Sequence, residues 1–200
     1  MFKFIKNLPE FIRAELLISI ILVLEYSFLG PVITKLEGVL FTVTVISILT
    51  GIDKLIGIFV YVLRGLNLTN VYKIMFAIVI AHISITIVYF IDQKIFIFLI
   101  ILNSAIGGIF FRIFNIEWNA ITANVLNKND FKEFNHIESL LYTIVGTISL
   151  SLVAIISTYS TDILVLINIG LNFISLFLMY KQYVKYYGNG EFIKKIQRIE

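Results

Sequence analysis

Residues 95–122 read IFIFLIILNSAIGGIFFRIFNIEWNAIT, and the class of the whole molecule follows from how this stretch is read. Its first eight residues are apolar without a break, so it lacks the alternation of apolar and polar residues that marks a strand of a membrane barrel. At 28 residues it exceeds the roughly 20 mostly apolar residues that a helix needs to cross a hydrocarbon layer of about 30 Å. At 100° per residue, Ser104, Gly107, Gly108, Arg112, Asn115 and Asn119 fall in a sector of about 140°. Ile101, Ile106, Ile109 and Ile113 lie mostly elsewhere. A sector of small residues lets a neighbouring backbone approach closely. Two readings of Arg112 stand side by side: a cationic lining for a polar or anionic solute, or a structural ion pair with a carboxylate.

Working outward from this segment, five further stretches have the same character. The expected spans are about 14–34, 39–63, 71–91, 95–122, 137–158 and 163–184, an all-α polytopic membrane bundle of six helices over residues 1–187. Composition agrees. The 200 residues are 59% hydrophobic and only 14% charged, with a mean hydropathy of +0.96, whereas a soluble domain carries roughly 25% charge. One small globular core cannot hide that much apolar surface; lipid can. Glu10, Arg13 and Glu15 interrupt the first apolar run and no small-residue cleavage pattern follows, so the start reads as mature protein instead of a secretory signal.

The separators are predicted at Arg64–Asn70, at the tight turn Asp92-Gln93-Lys94, at Asn127–Asp130, at Ser160-Thr161-Asp162 and at Gly188-Asn189-Gly190. Asp130 and Glu133 read as a D-x-x-E capping box that starts a short surface helix. Pro31 is expected to kink or end the first span. The cations are asymmetric. Lys3, Lys6, Arg13, Arg64, Lys73, Lys128, Lys132, Lys181, Lys185, Lys194, Lys195 and Arg198 fall on one side, and Lys35 and Lys94 on the other; Lys54 and Arg112 lie inside spans. The crowded side is predicted to be the cytoplasm, with both termini there, in a bacterial inner (plasma) membrane. In the tail, residues 188–200, Phe192, Ile196 and Ile199 share one helical face among Lys194, Lys195 and Arg198. This reads either as an amphipathic helix on an anionic leaflet or as a solvated end.

Ionisable groups inside a span cost about 2.5–3.5 kcal/mol at the helix centre on insertion scales, and they usually face the bundle interior. Glu25, Asp53, Lys54, His82, Asn103, Arg112, Asn115, Glu117, Asn119 and Tyr142 are the candidate substrate or proton path; Ser104, Gly107, Gly108 and Gly146 are the candidate helix-packing positions. Glu25 and Asp53 either cycle a proton or are neutralised by Lys54 or Arg112. His82 is expected to face the core with one hydrogen bond. Glu138, Tyr142, Gly146 and Ser149 share a face of the fifth span, with Gly146 as a point of close contact. The chain has no cysteine and only His82 and His136, so no metal site, cofactor or catalytic residue is expected. No paired-histidine motif, phosphate loop or Ser/His/Asp grouping is present, which argues against an enzyme, and nothing points to nucleic acid.

Six spans with both ends inside, the run Gly107-Gly108 … Phe114-Asn115-Ile116-Glu117-Trp118-Asn119-Ala120, the segment Leu126–Asn135 and the central Gly146 resemble one half of a major facilitator superfamily transporter. Two departures accompany the resemblance. The family's loop between its second and third helices places an aspartate where Tyr61 stands after Gly57, and only Arg64 and Gly65 echo its cationic pair. The family also joins two such halves, with the solute site between them. By resemblance, Arg112 occupies the part of the fourth helix where several drug/proton antiporters place a functional arginine. The resemblance implies a half-size, proton-coupled secondary transporter. It would export a small amphipathic or peptide-like solute as a homodimer or with a second six-helix half. The alternative is a non-transporting membrane protein, such as a bacteriocin or toxin immunity factor, or an accessory subunit of another transporter.

Overall fold

A computed structural model describes residues 2–59 and 68–188, with side chains over 4–25, 27–51 and 69–188. Every described element is helical: α1 (Phe2–Asn7), α2 (Glu10–Glu37), α3 (Val39–Phe59), α4 (Leu68–Val88), α5 (Gln93–Val125), α6 (Lys128–Tyr159) and α7 (Thr161–Gln182), which runs into a π-helical turn at Tyr183–Tyr187. Five are long and apolar enough to cross a membrane: Glu10–Glu37, Thr69–Val88, Gln93–Val125, Lys128–Tyr159 and Thr161–Tyr187. The sixth, α3, is helical over 21 residues, and its described side chains end at Gly51. The side chains of Asp53 and Lys54, the loop 60–67 with Tyr61, Arg64 and Gly65, and the basic tail from Asn189 onward lie outside the described residues.

The hairpins are closed by local chemistry. Gly38, at φ 88°, takes a left-handed conformation that a side chain would resist, and its N–H caps α2 on the Thr34 carbonyl at 2.8 Å. Across the same turn, Thr34 Oγ1 meets Thr42 Oγ1 at 3.1 Å. Asp92 N-caps α5, accepting from the backbone N–H groups of Lys94 and Ile95 at 2.9 and 3.0 Å. Asn127 caps α6 through Asn129 N and Asp130 N, and donates from Nδ2 to Asp130 Oδ2 at 2.6 Å.

Two sequence expectations change here. The start of α6 is set by Asn127 with Asp130 as its reciprocal partner, not by Asp130 with Glu133. The helix then runs unbroken to Tyr159, so there is no separate surface helix. Of the two outcomes expected at Pro31, a kink or an end, the second is excluded, because α2 continues to Glu37. The missing proline donor costs only one internal bond near the end of a packed helix.

α2 is the axis of the bundle. It packs most extensively on α7 and α6, while α4 lies against α5 and α7, and α3 leans on α5 and α2. The described part of α3 and most of α6 keep their apolar side chains outward: Leu40, Ile46 and Ile48 on the first, Ile144, Leu150 and Ile155 on the second. Two apolar clusters fill the interior. One, around Phe28, Val32, Phe96, Ile100, Val153 and Leu164, lies toward the hairpins at Gly38, Asp92 and Ser160. The other, around Ile12, Tyr72, Phe114, Trp118, Phe134, Met179 and Tyr187, lies toward the opposite end. That end also carries Arg13, Lys73, Lys128, Lys132, Lys181 and Lys185, and is called the basic end below.

Candidate functional site

Between the two apolar clusters lies a layer of polar side chains that no water-facing surface explains. Glu25 on α2, His82 on α4, Asn103 on α5 and Asn168 and Asn172 on α7 are all buried, Glu25 at 2% and His82 at 3% exposure. Their geometry is specific. Asn103 Nδ2 lies 3.3 Å from His82 Nδ1. An amide nitrogen only donates, so Nδ1 is the acceptor and the neutral imidazole carries its hydrogen on Nε2. Nε2 faces Glu25 Oε1 at 3.4 Å, close enough for an ion pair but not aligned as a hydrogen bond. From α7, Asn168 Nδ2 donates to the Glu25 backbone carbonyl at 3.0 Å, and Asn172 Nδ2 donates to the Asn168 carbonyl and to Asn168 Oδ1 at 2.9 and 3.2 Å. Among the described residues, three buried atoms are left without a hydrogen-bond partner: Glu25 Oε2, His82 Nε2 and Asn172 Oδ1. Buried polar groups are nearly always satisfied, so three orphans in one layer single it out.

A second polar layer lies ten residues along α2, about 15 Å toward the basic end. Glu15 is buried at 2% exposure and accepts from Tyr187 Oη at 3.2 Å and Gln182 Nε2 at 3.3 Å; Gln182 also donates to the Phe11 carbonyl at 3.0 Å. Tyr72 stacks on Tyr187 with ring centres 4.2 Å apart, and its hydroxyl donates to the Met179 carbonyl at 3.4 Å. The π-helical turn brings Tyr187 under the bundle. Phe11, Trp118 and Phe114 continue the aromatic layer inside the core.

The predicted site residues therefore separate. Glu25, His82 and Asn103 come together. Arg112 and Asn119 do not join them: both are exposed on the outside of the bundle, and Asn115 and Glu117 are half-buried. The reason is the length of α5. Its 33 residues span about 50 Å, well beyond a hydrocarbon layer of about 30 Å. Arg112 is nine residues past Asn103, about 14 Å along the axis, which puts it at the boundary of such a layer centred on Asn103. The expectation that Arg112 neutralises Glu25 is thus corrected; the ionisable neighbour of Glu25 is His82.

Ser104 and Gly108 line an apolar groove of about 390 Å³ with Gly30 and Ile33 of α2, Thr42 and Ile46 of α3, and Phe111. Gly107 is buried, but a methyl group placed on Gly108 or Gly146 would meet nothing within 4 Å, so neither is a point of close helix approach within this chain. Helix α6 reaches α2 instead through Ser149 and Ser27, whose hydroxyl oxygens are 2.9 Å apart. Tyr142, half-buried, donates to Glu138 Oε1 at 2.9 Å, one turn back on the same helix.

Sequence reasoning passed over Glu15, Asn168, Asn172, Ser175 and Gln182. The α7 residues carried a usable signal: positions 168, 172, 175, 179 and 182 share one face at helical spacing, and all five are buried. Four of them are polar. No family model, no curated protein and no solved structure matches the chain.

Proposed function

We propose that this chain is a half-size secondary transporter that exchanges a proton at Glu25–His82 for a small amphipathic solute and works as a pair of copies. The observation that carries the reading is the mid-bundle layer itself: a carboxyl and an imidazole 3.4 Å apart, buried in an apolar helical bundle, with one oxygen of the carboxyl and the facing nitrogen lacking a hydrogen-bond partner. With one proton between them the two groups are neutral together, as acid and imidazole or as carboxylate and imidazolium. Removing that proton leaves one negative charge in a low-dielectric layer, which is unfavourable unless water enters or a cation replaces it. A cationic amphipathic solute meets that condition, and its export is the direction that the half-transporter resemblance implies.

The outward polar face of α5 supports the pairing. Arg112 and Asn119, exposed on one bundle, would be covered by a second copy, as in transporters where the path lies between two six-helix halves. In this scheme the basic end faces the cytoplasm, following the cation asymmetry, in a bacterial inner membrane. Purified protein in liposomes carrying a pH-sensitive dye should show solute-dependent proton movement that Glu25→Gln abolishes, and cross-linking should trap dimers. A strictly monomeric protein with no such movement overturns the proposal.

One observation favours a second reading. Arg112 at the bundle perimeter also suits a non-transporting membrane protein, an immunity factor or an accessory subunit, in which α5 docks on a different protein. In that case liposomes show no solute-dependent proton movement, and Arg112→Gln selectively releases the partner from the solubilised complex.

A further inference from the structure

A second site lies at the basic end, away from the Glu25 layer. Between the first turns of α4 and the last turns of α7 lies a groove of about 230 Å³ lined, among the described residues, by Lys73, Phe76, Tyr180 and Tyr183. Lys73 and Phe76 are three residues apart on α4, and Tyr180 and Tyr183 three apart on α7, so each helix gives one face to one wall. Among the described residues, three of the four that line it are aromatic, the fourth is a cation and none is a carboxylate. Lys73 is exposed, and its Nζ lies 5.9 Å from the centre of the Tyr183 ring, so the ammonium stands at the rim over an aromatic wall. Tyr180 is itself 57% exposed. The next cation along α7, Lys181, extends over Phe177 with Nζ 4.5 Å from the ring centre.

Depth and charge together select an occupant. Lys73 is nine residues before His82, about 14 Å along α4 from the mid-bundle layer, and so lies at the headgroup boundary of a layer centred there. The groove opens outward at that level. Basic pockets between membrane helices near a bilayer surface hold anionic phospholipid headgroups, and a cation above an apolar cleft matches a phosphate above an acyl chain. We infer that this groove binds one anionic phospholipid, with its phosphate on Lys73 and the start of an acyl chain between Phe76, Tyr180 and Tyr183. The site depends on the chain residing in a membrane and is independent of whether it transports.

The test uses the full chain, solubilised in detergent and exchanged with equimolar phosphatidylglycerol and phosphatidylethanolamine, with lipid retention read by native mass spectrometry. Wild type should retain phosphatidylglycerol over phosphatidylethanolamine by about fivefold, the preference expected of one cation near an anionic headgroup. Lys73→Gln should bring the ratio near one, and Lys73→Arg should preserve it. Tyr180→Ala should lower retention of both lipids, while Lys94→Gln, at the opposite end, should change neither. Circular dichroism confirms that each variant remains helical. The inference is overturned if Lys73→Gln keeps the wild-type preference, or if Lys94→Gln loses it equally, which would signify diffuse attraction. It is also overturned if Tyr180→Cys cross-links between copies in phosphatidylglycerol vesicles, which would make a second copy the occupant.

Discussion

Two buried glutamates stand ten residues apart on the same helix and meet opposite surroundings. Glu15 accepts from Tyr187 and Gln182, within an aromatic layer in which Tyr72 and Tyr187 stack. Glu25 has one oxygen facing an unaligned imidazole, and its other oxygen makes no hydrogen bond of good geometry. Burial alone is therefore a poor guide to function. A buried carboxyl whose partners are complete fastens helices together, whereas one left incomplete among other incomplete groups is available for a change of protonation. Here the first fastens α7 to α2 at one end, and the second occupies the middle.

The contrast can be broken by substitution, and the largest effect belongs to the fastened layer. Tyr72→Ala removes a ring that is 1% exposed and stacked on Tyr187, so thermal unfolding in detergent should show a loss of about 3–5 kcal/mol. A near-neutral result would mean that this layer does not hold the bundle. Glu15→Leu comes next. It strands the Tyr187 hydroxyl and leaves Gln182 with only the Phe11 carbonyl, a cost of about 1–3 kcal/mol. Hydrogen exchange should rise at residues 183–187 in that variant, and Glu15→Gln, which keeps an acceptor, should restore most of the protection.

Glu25→Gln should cost less than about 1 kcal/mol, because the amide is nearly isosteric with the carboxyl and carries no charge to bury. Its proton exchange should nevertheless vanish. If Glu25→Gln instead unfolds the protein as Glu15→Leu does, the two layers are alike and the proposed division fails. The smallest effect is expected at the surface. The Lys185–Glu10 pair, at 2.6 Å, is exposed on both partners, and Lys185→Gln should leave the melting temperature unchanged within error.

Much of this division could be read from the residues. Continuous apolar runs outline the long helices, and Glu25, His82 and Asn103 stand out inside them because a charged or amide group in hydrocarbon needs a reason. The rest was obscured for physical causes. Glu15 sits so close to Arg13 and Glu10 that the sequence suggests a wet boundary; only the fold shows that the π-helical turn of α7 covers it. Asn168, Asn172 and Gln182 carry no charge, so a search for ionisable intruders ignores them, although their shared face is plain once helical spacing is applied to amides. Arg112 reads as lying inside a span because residues 95–122 form one uninterrupted stretch of spanning character. The helix is longer than a bilayer is thick, and where along it the layer falls is set by neighbouring helices and not by its own residues.

The outward face of α6 has a consequence for how the protein is built. Thr143, Thr147 and Ser151 each donate their hydroxyl to a carbonyl of their own helix, on Ser139, Thr143 and Thr147 at 2.9, 2.8 and 2.9 Å. Hydroxyls already bonded within their own helix need no partner from a neighbouring helix or from lipid. Ser149 differs, its hydroxyl lying 2.9 Å from that of Ser27, so the polar tie between this helix and α2 falls on its buried side and the outward side is left free of polar obligations.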